Sequence, residues 1–286
     1  MTTAGDRYLA QPPELVDLDG TTVPVRRFGA GPPLLLVHGF PLSGFTWRFL
    51  IPELARRMTC IAVDLPGLGD SRWTETTDFS FPGQGRTLHR VADALGLDTY
   101  AVLAQDTGGT FARFLALEDS RVVRLALINT EIPGHRPPWV PFYQRLMTLP
   151  GATELLGALA RSPRYVRSSM AFGGCFVDPG RLDGEFHDQF VSPIAQSATR
   201  RDGIRRYLIG AQWQPVDELR NLHARIAIPV RLVWGREDPT FPLDQARPML
   251  DQLPNADLVE IGGARLLPHE ERPDAVLDAV TDFLAS

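Results

Sequence analysis

Residues 100–114 read YAVLAQDTGGTFARF, and this stretch constrains the fold more than any other. An apolar, strand-like run stops at Gln105, and a helix-forming run begins just past Asp106. A strand that turns directly into a helix brings two backbones close together, so the neighbours of the turning residue must be small. Ala104 stands two residues before Asp106 and Gly108 two after it. Such a turn lifts the central side chain above the sheet edge and sets a helix N-terminus behind it. Asp106 is therefore either the reactive group of a nucleophile turn or an ordinary aspartate cap on a helix.

The surrounding chain favours a sheet for that turn to stand on. ELVDLDGTTVPVRRFG predicts two strands joined at Asp19-Gly20, a good hairpin turn pair. PLLLVHG and TCIAVDLPG are short apolar runs closed by Gly and Pro, as in strands buried within a parallel sheet. Helices are expected over SGFTWRFLIPELARR, GQGRTLHRVADALGL and TFARFLALED, with RVVRLALIN as the next strand. This repeated strand–helix alternation predicts an α/β fold with a mostly parallel sheet. It breaks at GHRPPWVPFYQRLMTLPG, and no buried strand is expected until IAIPVRLVWG. The expected division is a core of residues 1–133 and 225–286, interrupted by a helical insert over 134–224.

Composition removes several classes of function. The 286 residues carry a net charge of −5, so there is no basic footprint for nucleic acid. All 29 basic residues are arginine, which excludes lysine Schiff-base chemistry and a lysine-bearing P-loop. No apolar run reaches the length of a membrane span, and MTTAGDRYLAQPP lacks the apolar core of a signal peptide. Two cysteines are too few for a disulfide framework, so a cytoplasmic setting is the expectation.

Three further motifs belong with Asp106: HGFP ends one strand, LPGLGDS follows the next, and WGREDPTFP brings Asp238 to the same carboxyl edge. In this order the four motifs resemble the α/β-hydrolase superfamily over nearly the whole chain. An aspartate at the nucleophile position and a helical insert narrow the likeness to epoxide hydrolases, haloalkane dehalogenases and fluoroacetate dehalogenases. The resemblance implies an eight-stranded, mostly parallel sheet with helices on both faces and a helical cap, needing no cofactor or metal. It implies Asp106 as nucleophile, Asp238 as the acid that orients a histidine, and the Phe40 and Thr107 amides as the oxyanion hole.

A carboxylate with a pKa near ~4 is already ionised at neutral pH and attacks an sp3 carbon without a base. Water activated by histidine then cleaves the resulting ester. The dehalogenase members usually carry Trp after the nucleophile, where this chain has Thr107. The fluoroacetate enzymes carry arginines where it has Thr107 and Thr110. HGFP is closer to the epoxide-hydrolase form, and Tyr207 in RRYLIGAQW resembles a cap tyrosine that protonates the epoxide oxygen. Tyr143 and Tyr165 are candidates for a second phenol, and Trp139 for the wall of an apolar pocket. The expected partner is a small apolar organic substrate, with no nucleic acid or membrane, for a monomer or homodimer.

One element of that pattern is displaced. Relatives place the catalytic histidine in the loop after the last strand, where IGGARLLPHEERP has Leu266. His269 lies three residues on, a shift of about 10 Å if extended or 4.5 Å if helical. Following Pro268 and preceding two acids, it also suits a surface position at the start of the closing helix. His135, where the chain leaves the core, is another candidate to hang over Asp106, and Glu131 a candidate second acid. An epoxide-hydrolase-like enzyme with an unconventional base is the leading reading. The alternatives are a dehalogenase-like enzyme, a non-hydrolytic lyase, isomerase or cyclase using Asp106 as acid or base, and a binding protein on a hydrolase scaffold.

Overall fold

A computed structural model describes residues 2–286. The chain opens its sheet with an antiparallel hairpin, β1 (Glu14–Leu18) and β2 (Thr21–Phe28), in which Leu18 faces Thr21. Asp19 and Gly20 between them have φ of 57° and 90°, the left-handed pair that matches the strands' own twist. β2 then runs antiparallel to β4 (Thr59–Val63). β3 (Pro33–Val37), β5 (Tyr100–Gln105), β6 (Val122–Ile128), β7 (Val230–Gly235) and β8 (Ala256–Ile261) complete a sheet of order β1-β2-β4-β3-β5-β6-β7-β8. From β4 onward every pairing is parallel.

All six residues of β5 are buried, so both faces of the sheet centre are covered. The helices Phe81–Ala94 and Thr107–Glu118 pack against each other, while the closing helix Pro273–Ala285 lies with β6, β7 and the short helix Ile51–Leu54. Apolar residues of strands and helices interlock into one core that includes Leu35, Trp47, Val102, Phe111 and Trp234.

Among the described residues no strand occurs between β6 and β7. That stretch holds helices, among them Trp139–Leu146, Ala152–Ala160, Ala198–Gly210 and Gln214–Leu222. Among the described residues no helix is long and apolar enough to cross a membrane.

Two local expectations are corrected. The helix foreseen over SGFTWRFLIPELARR is a 3-10 segment, Gly44–Phe49, followed by one turn, Ile51–Leu54. Pro52 has no N–H to continue a helix but suits the first turn of a new one. His269 is not on the surface: it is fully buried in a separate turn, Pro268–Glu271, before the closing helix.

The N-terminus, the insert and that turn are joined by one chain of polar contacts. Thr3 Oγ1 donates to Glu185 Oε1 (2.7 Å), and Arg48 Nε to Glu185 Oε2 (2.8 Å). Arg48 Nη1 donates to Glu270 Oε1 (2.8 Å), an ion pair in which both side chains are 3% exposed. Glu271 accepts the amides of Val177, in the insert, and Arg265, after β8.

Candidate active site

Asp106 sits between β5 and the helix Thr107–Glu118 with φ 52° and ψ −133°. A non-glycine residue there carries about 1–3 kcal/mol of strain, so the surroundings must impose it. The Asp106 amide donates to the carbonyls of Ile128 and Asn129 at the end of β6 (3.1 and 2.9 Å). The need for small neighbours is literal: a Cβ on Gly108 would lie 2.3 Å from the His38 carbonyl oxygen. Asp106 makes no side-chain cap on its helix. Its Oδ2 instead accepts the Phe40 amide at 2.8 Å.

Burial and the field of Glu131 push the Asp106 carboxyl well above its ordinary range, while the Thr107 and Phe40 amides oppose the shift. Those are the two amides expected of the oxyanion hole.

Asp106 lies on a cavity of about 220 Å³. The core contributes Phe40, Thr107, Glu131, Leu266 and Leu267; the insert contributes Trp139, Tyr143, Tyr165, Cys175, Tyr207 and Trp213. The lining is mainly apolar, with a few polar atoms, the usual character of a small-molecule site. All three expected tyrosines and Trp139 are therefore brought together with Asp106.

Tyr207 is buried, its ring stacked on Phe40 (centroids 4.9 Å) and its hydroxyl 2.5 Å from Thr107 Oγ1. The Tyr143 hydroxyl donates to the Met170 carbonyl (2.7 Å), which leaves it to accept from Tyr165 (2.6 Å). Burial and that pairing raise the Tyr165 phenol.

The two acids after β6 and β7 behave differently. Asp238 is absent from the cavity lining. Its Oδ2 accepts the Asn129 side-chain amide (2.7 Å) and its Oδ1 the Thr240 N–H (2.8 Å). Burial raises Asp238 to about 7, against the pull of those donors. Asn129 Oδ1 in turn accepts the Gly235 amide (2.8 Å), so Asp238 and Asn129 bracket the ends of β6 and β7. Glu131 lines the cavity, and its Oε2 accepts the Thr110 hydroxyl (2.5 Å) and lies 3.2 Å from Thr130 Oγ1, whose proton has a nearer acceptor in the Asp106 carbonyl (2.8 Å). Burial raises it too.

Behind Thr110 lies Arg113, wholly buried, with Nη2 on Thr110 Oγ1 (2.7 Å) and on the Glu131 carbonyl (2.8 Å). Arg113, Asn129, Thr130 and Cys175 were not singled out from the sequence. The run INTE directly after β6, polar residues where an apolar strand ends, is the signal that marks Asn129 and Thr130.

No histidine is among the cavity residues. His269 Nε2 lies 2.7 Å from Thr46 Oγ1. Thr46 gives its own proton to Glu270 Oε1 (2.9 Å), so the imidazole is the donor between them. The ring lies against Trp47 (5.0 Å), and burial together with Arg48 lowers His269 to about 3. His135 is directed to the Thr240 carbonyl (2.8 Å) and packs edge-on against Phe241. His38 donates from Nδ1 to its neighbour Gly39's carbonyl and accepts the Leu65 amide at Nε2. The structure thus assembles Asp106, Phe40, Thr107, Tyr207, Tyr143, Tyr165 and Trp139, and places Asp238, His269 and His135 outside the cavity.

A family model for the alpha/beta hydrolase fold matches residues 32–273. The chain is 30% identical over 258 residues to the magnesium-chelatase 30 kDa subunit of Rhodobacter capsulatus, covering 89% of this chain and 87% of that protein. It is 28% identical over 269 residues to the soluble epoxide hydrolase of Corynebacterium sp. (strain C12), covering 90% and 91%. The crystal structure of an alpha/beta hydrolase fold protein from Burkholderia ambifaria matches with a TM-score of 0.80 at 27% identity, over 94% of this chain and 97% of that one.

Proposed function

The chain belongs to the alpha/beta-hydrolase-fold family, and from that premise we propose that it hydrolyses a small apolar electrophile, an epoxide by class, through an ester on Asp106. One observation carries the reading: a carboxylate on a strained strand–helix turn, one oxygen bound to the Phe40 amide, facing an apolar cavity. With Oδ2 held by the Phe40 amide, Oδ1 is the attacking oxygen, and the Phe40 and Thr107 amides stabilise the charge that later develops on Oδ2 during ester cleavage. The likeness to the Corynebacterium epoxide hydrolase supports the substrate class. Tyr207, hydrogen-bonded to Thr107 beside the nucleophile, is the phenol that meets the epoxide oxygen and protonates it as the ring opens. The helical insert serves as the cap that keeps the reaction dry. Asp238 and His269 are assigned structural roles, because neither lines the cavity and their hydrogen bonds tie loops together.

The test is intact-mass spectrometry after exposure to a panel of aryl and alkyl epoxides. A covalent adduct of the epoxide mass on Asp106, lost in Asp106→Asn, is the expected result. Diol formation undiminished in Asp106→Asn contradicts the proposal.

A second reading has its own support. With two buried carboxylates of raised affinity for protons and no imidazole on the cavity, Asp106 suits acid–base work in a lyase or isomerase. It predicts a rearranged product, no adduct, and no uptake of oxygen from water.

A further inference from the structure

Ester cleavage needs a base, and the cavity has no histidine to supply one. We propose that Glu131 is that base, and that Asp106 and Glu131 work as a two-carboxylate pair in place of a carboxylate and an imidazole. The proposal rests on Asp106 as nucleophile. Its geometric basis is that Glu131 lies on the same cavity as Asp106 and is tied to it by one hydroxyl. Thr130 Oγ1 lies 2.8 Å from the Asp106 carbonyl oxygen and 3.2 Å from Glu131 Oε2.

Glu131 is also held as a base should be. Arg113 Nη2 donates to Thr110 Oγ1, which directs the Thr110 proton onto Glu131 Oε2. Both hydroxyl contacts are made at that one oxygen, and among the described residues no side chain donates to Oε1, which leaves it to a water. The field of the buried Arg113 guanidinium favours the ionised form of Glu131, the form that takes a proton from water, and so offsets part of the burial that raises it.

The proton inventory closes with one proton shared by the pair. In the reacting form that proton is on Glu131 and Asp106 is ionised. Asp106 Oδ1 bonds to an epoxide carbon, the C–O bond opens, and the alkoxide takes a proton from Tyr207, which recovers it from Glu131. Glu131, now a carboxylate, takes a proton from water as the hydroxide adds to Asp106 Cγ. The tetrahedral intermediate expels the diol alkoxide, which takes that proton back. Asp106 is left protonated beside ionised Glu131, and transfer of one proton between them restores the starting state. The sum is epoxide plus water giving diol.

Styrene oxide, an aryl epoxide, is the probe, with rapid-quench intact mass as readout for wild type, Glu131→Gln, Glu131→Ala and Asp106→Asn. The expected result is an Asp106 adduct that forms in Glu131→Gln and is released about 10²–10⁴-fold more slowly than from wild type. Formate, a small carboxylate, is expected to speed release from Glu131→Ala and not from wild type, which a merely structural role does not predict. An adduct released from Glu131→Gln at the wild-type rate overturns the assignment of Glu131 while leaving Asp106 intact. Absence of an adduct from wild type and both Glu131 variants overturns both.

Discussion

The loops after β6 and after β8 both bring acids to the carboxyl edge of one sheet, and they use them in opposite ways. After β6, Glu131 stays on the cavity, and its hydroxyl contacts, with Thr110 and Thr130, are made at a single oxygen. After β8, His269, Glu270 and Glu271 turn into the body of the protein, where Thr46, Arg48, Arg265 and Val177 engage them. That loop offers the cavity only Leu266 and Leu267. A polar side chain serves chemistry when some of its hydrogen-bonding capacity is left open, and serves stability when its partners are all protein. By that measure the β8 loop, the usual home of the base, has its polar groups spent on protein partners, and the β6 loop is the one that keeps capacity open toward the cavity, in line with the role proposed for Glu131.

Substitutions on the two sides should therefore move different observables. The largest effect is expected from Asp106→Asn, which keeps the Phe40 contact but removes the carboxylate proposed as nucleophile: about 10⁴-fold or more in turnover, read by product formation, with little change in melting. Next comes Arg48→Met, on the structural side. Leaving Glu270 buried without its cation costs about 3–5 kcal/mol by urea denaturation. Turnover per folded molecule is expected to stay within a few-fold of wild type, and a selective collapse of turnover would break the contrast.

Tyr207→Phe is expected to lower the rate of adduct formation about 10²-fold without slowing adduct release, because the phenol acts in ring opening. Smallest, taken per unit of pH, is a titration effect. His269 is lowered to about 3 when folded, against about 6.5 when unfolded, so the unfolded chain binds the extra proton. The stability it contributes is fully present above about pH 6.5 and is lost as pH falls toward 3. His269→Asn should flatten the acid limb of a stability–pH curve by about 1.4 kcal/mol per pH unit across that window. His223, also lowered to about 3 by burial and Arg113, keeps part of the limb in the variant.

The sheet was readable because its signals are local. Asp19-Gly20 names a hairpin turn, apolar runs closed by Gly and Pro name buried strands, and Ala104 and Gly108 name a tight strand–helix turn. Asp106, the oxyanion amides and the tyrosines followed from the same motif order, and they do share one cavity. What could not be read was the fate of PHEE. Nothing local says that His269 will be buried, since Thr46 and Arg48 are more than 220 residues away along the chain. Arg113 was equally hidden: one arginine in a helix reads as solvated until Thr110, Glu131 and His223 are folded around it. Pro52 could have warned of the broken helix, because a proline there starts a turn more easily than it continues one.

The contacts from Thr3 through Glu185 and Arg48 to Glu270, with Glu271 on the Val177 amide, rivet one flank of the insert to the sheet domain. The helix Trp139–Leu146 has no such rivet. Gln144 bonds to Leu208 and Ala211, and Tyr143 to Met170 and Tyr165, all within the insert itself. Loosening of the insert is therefore expected to begin at the Trp139 side and to reach the Glu185 side last, an order that amide hydrogen exchange reads directly.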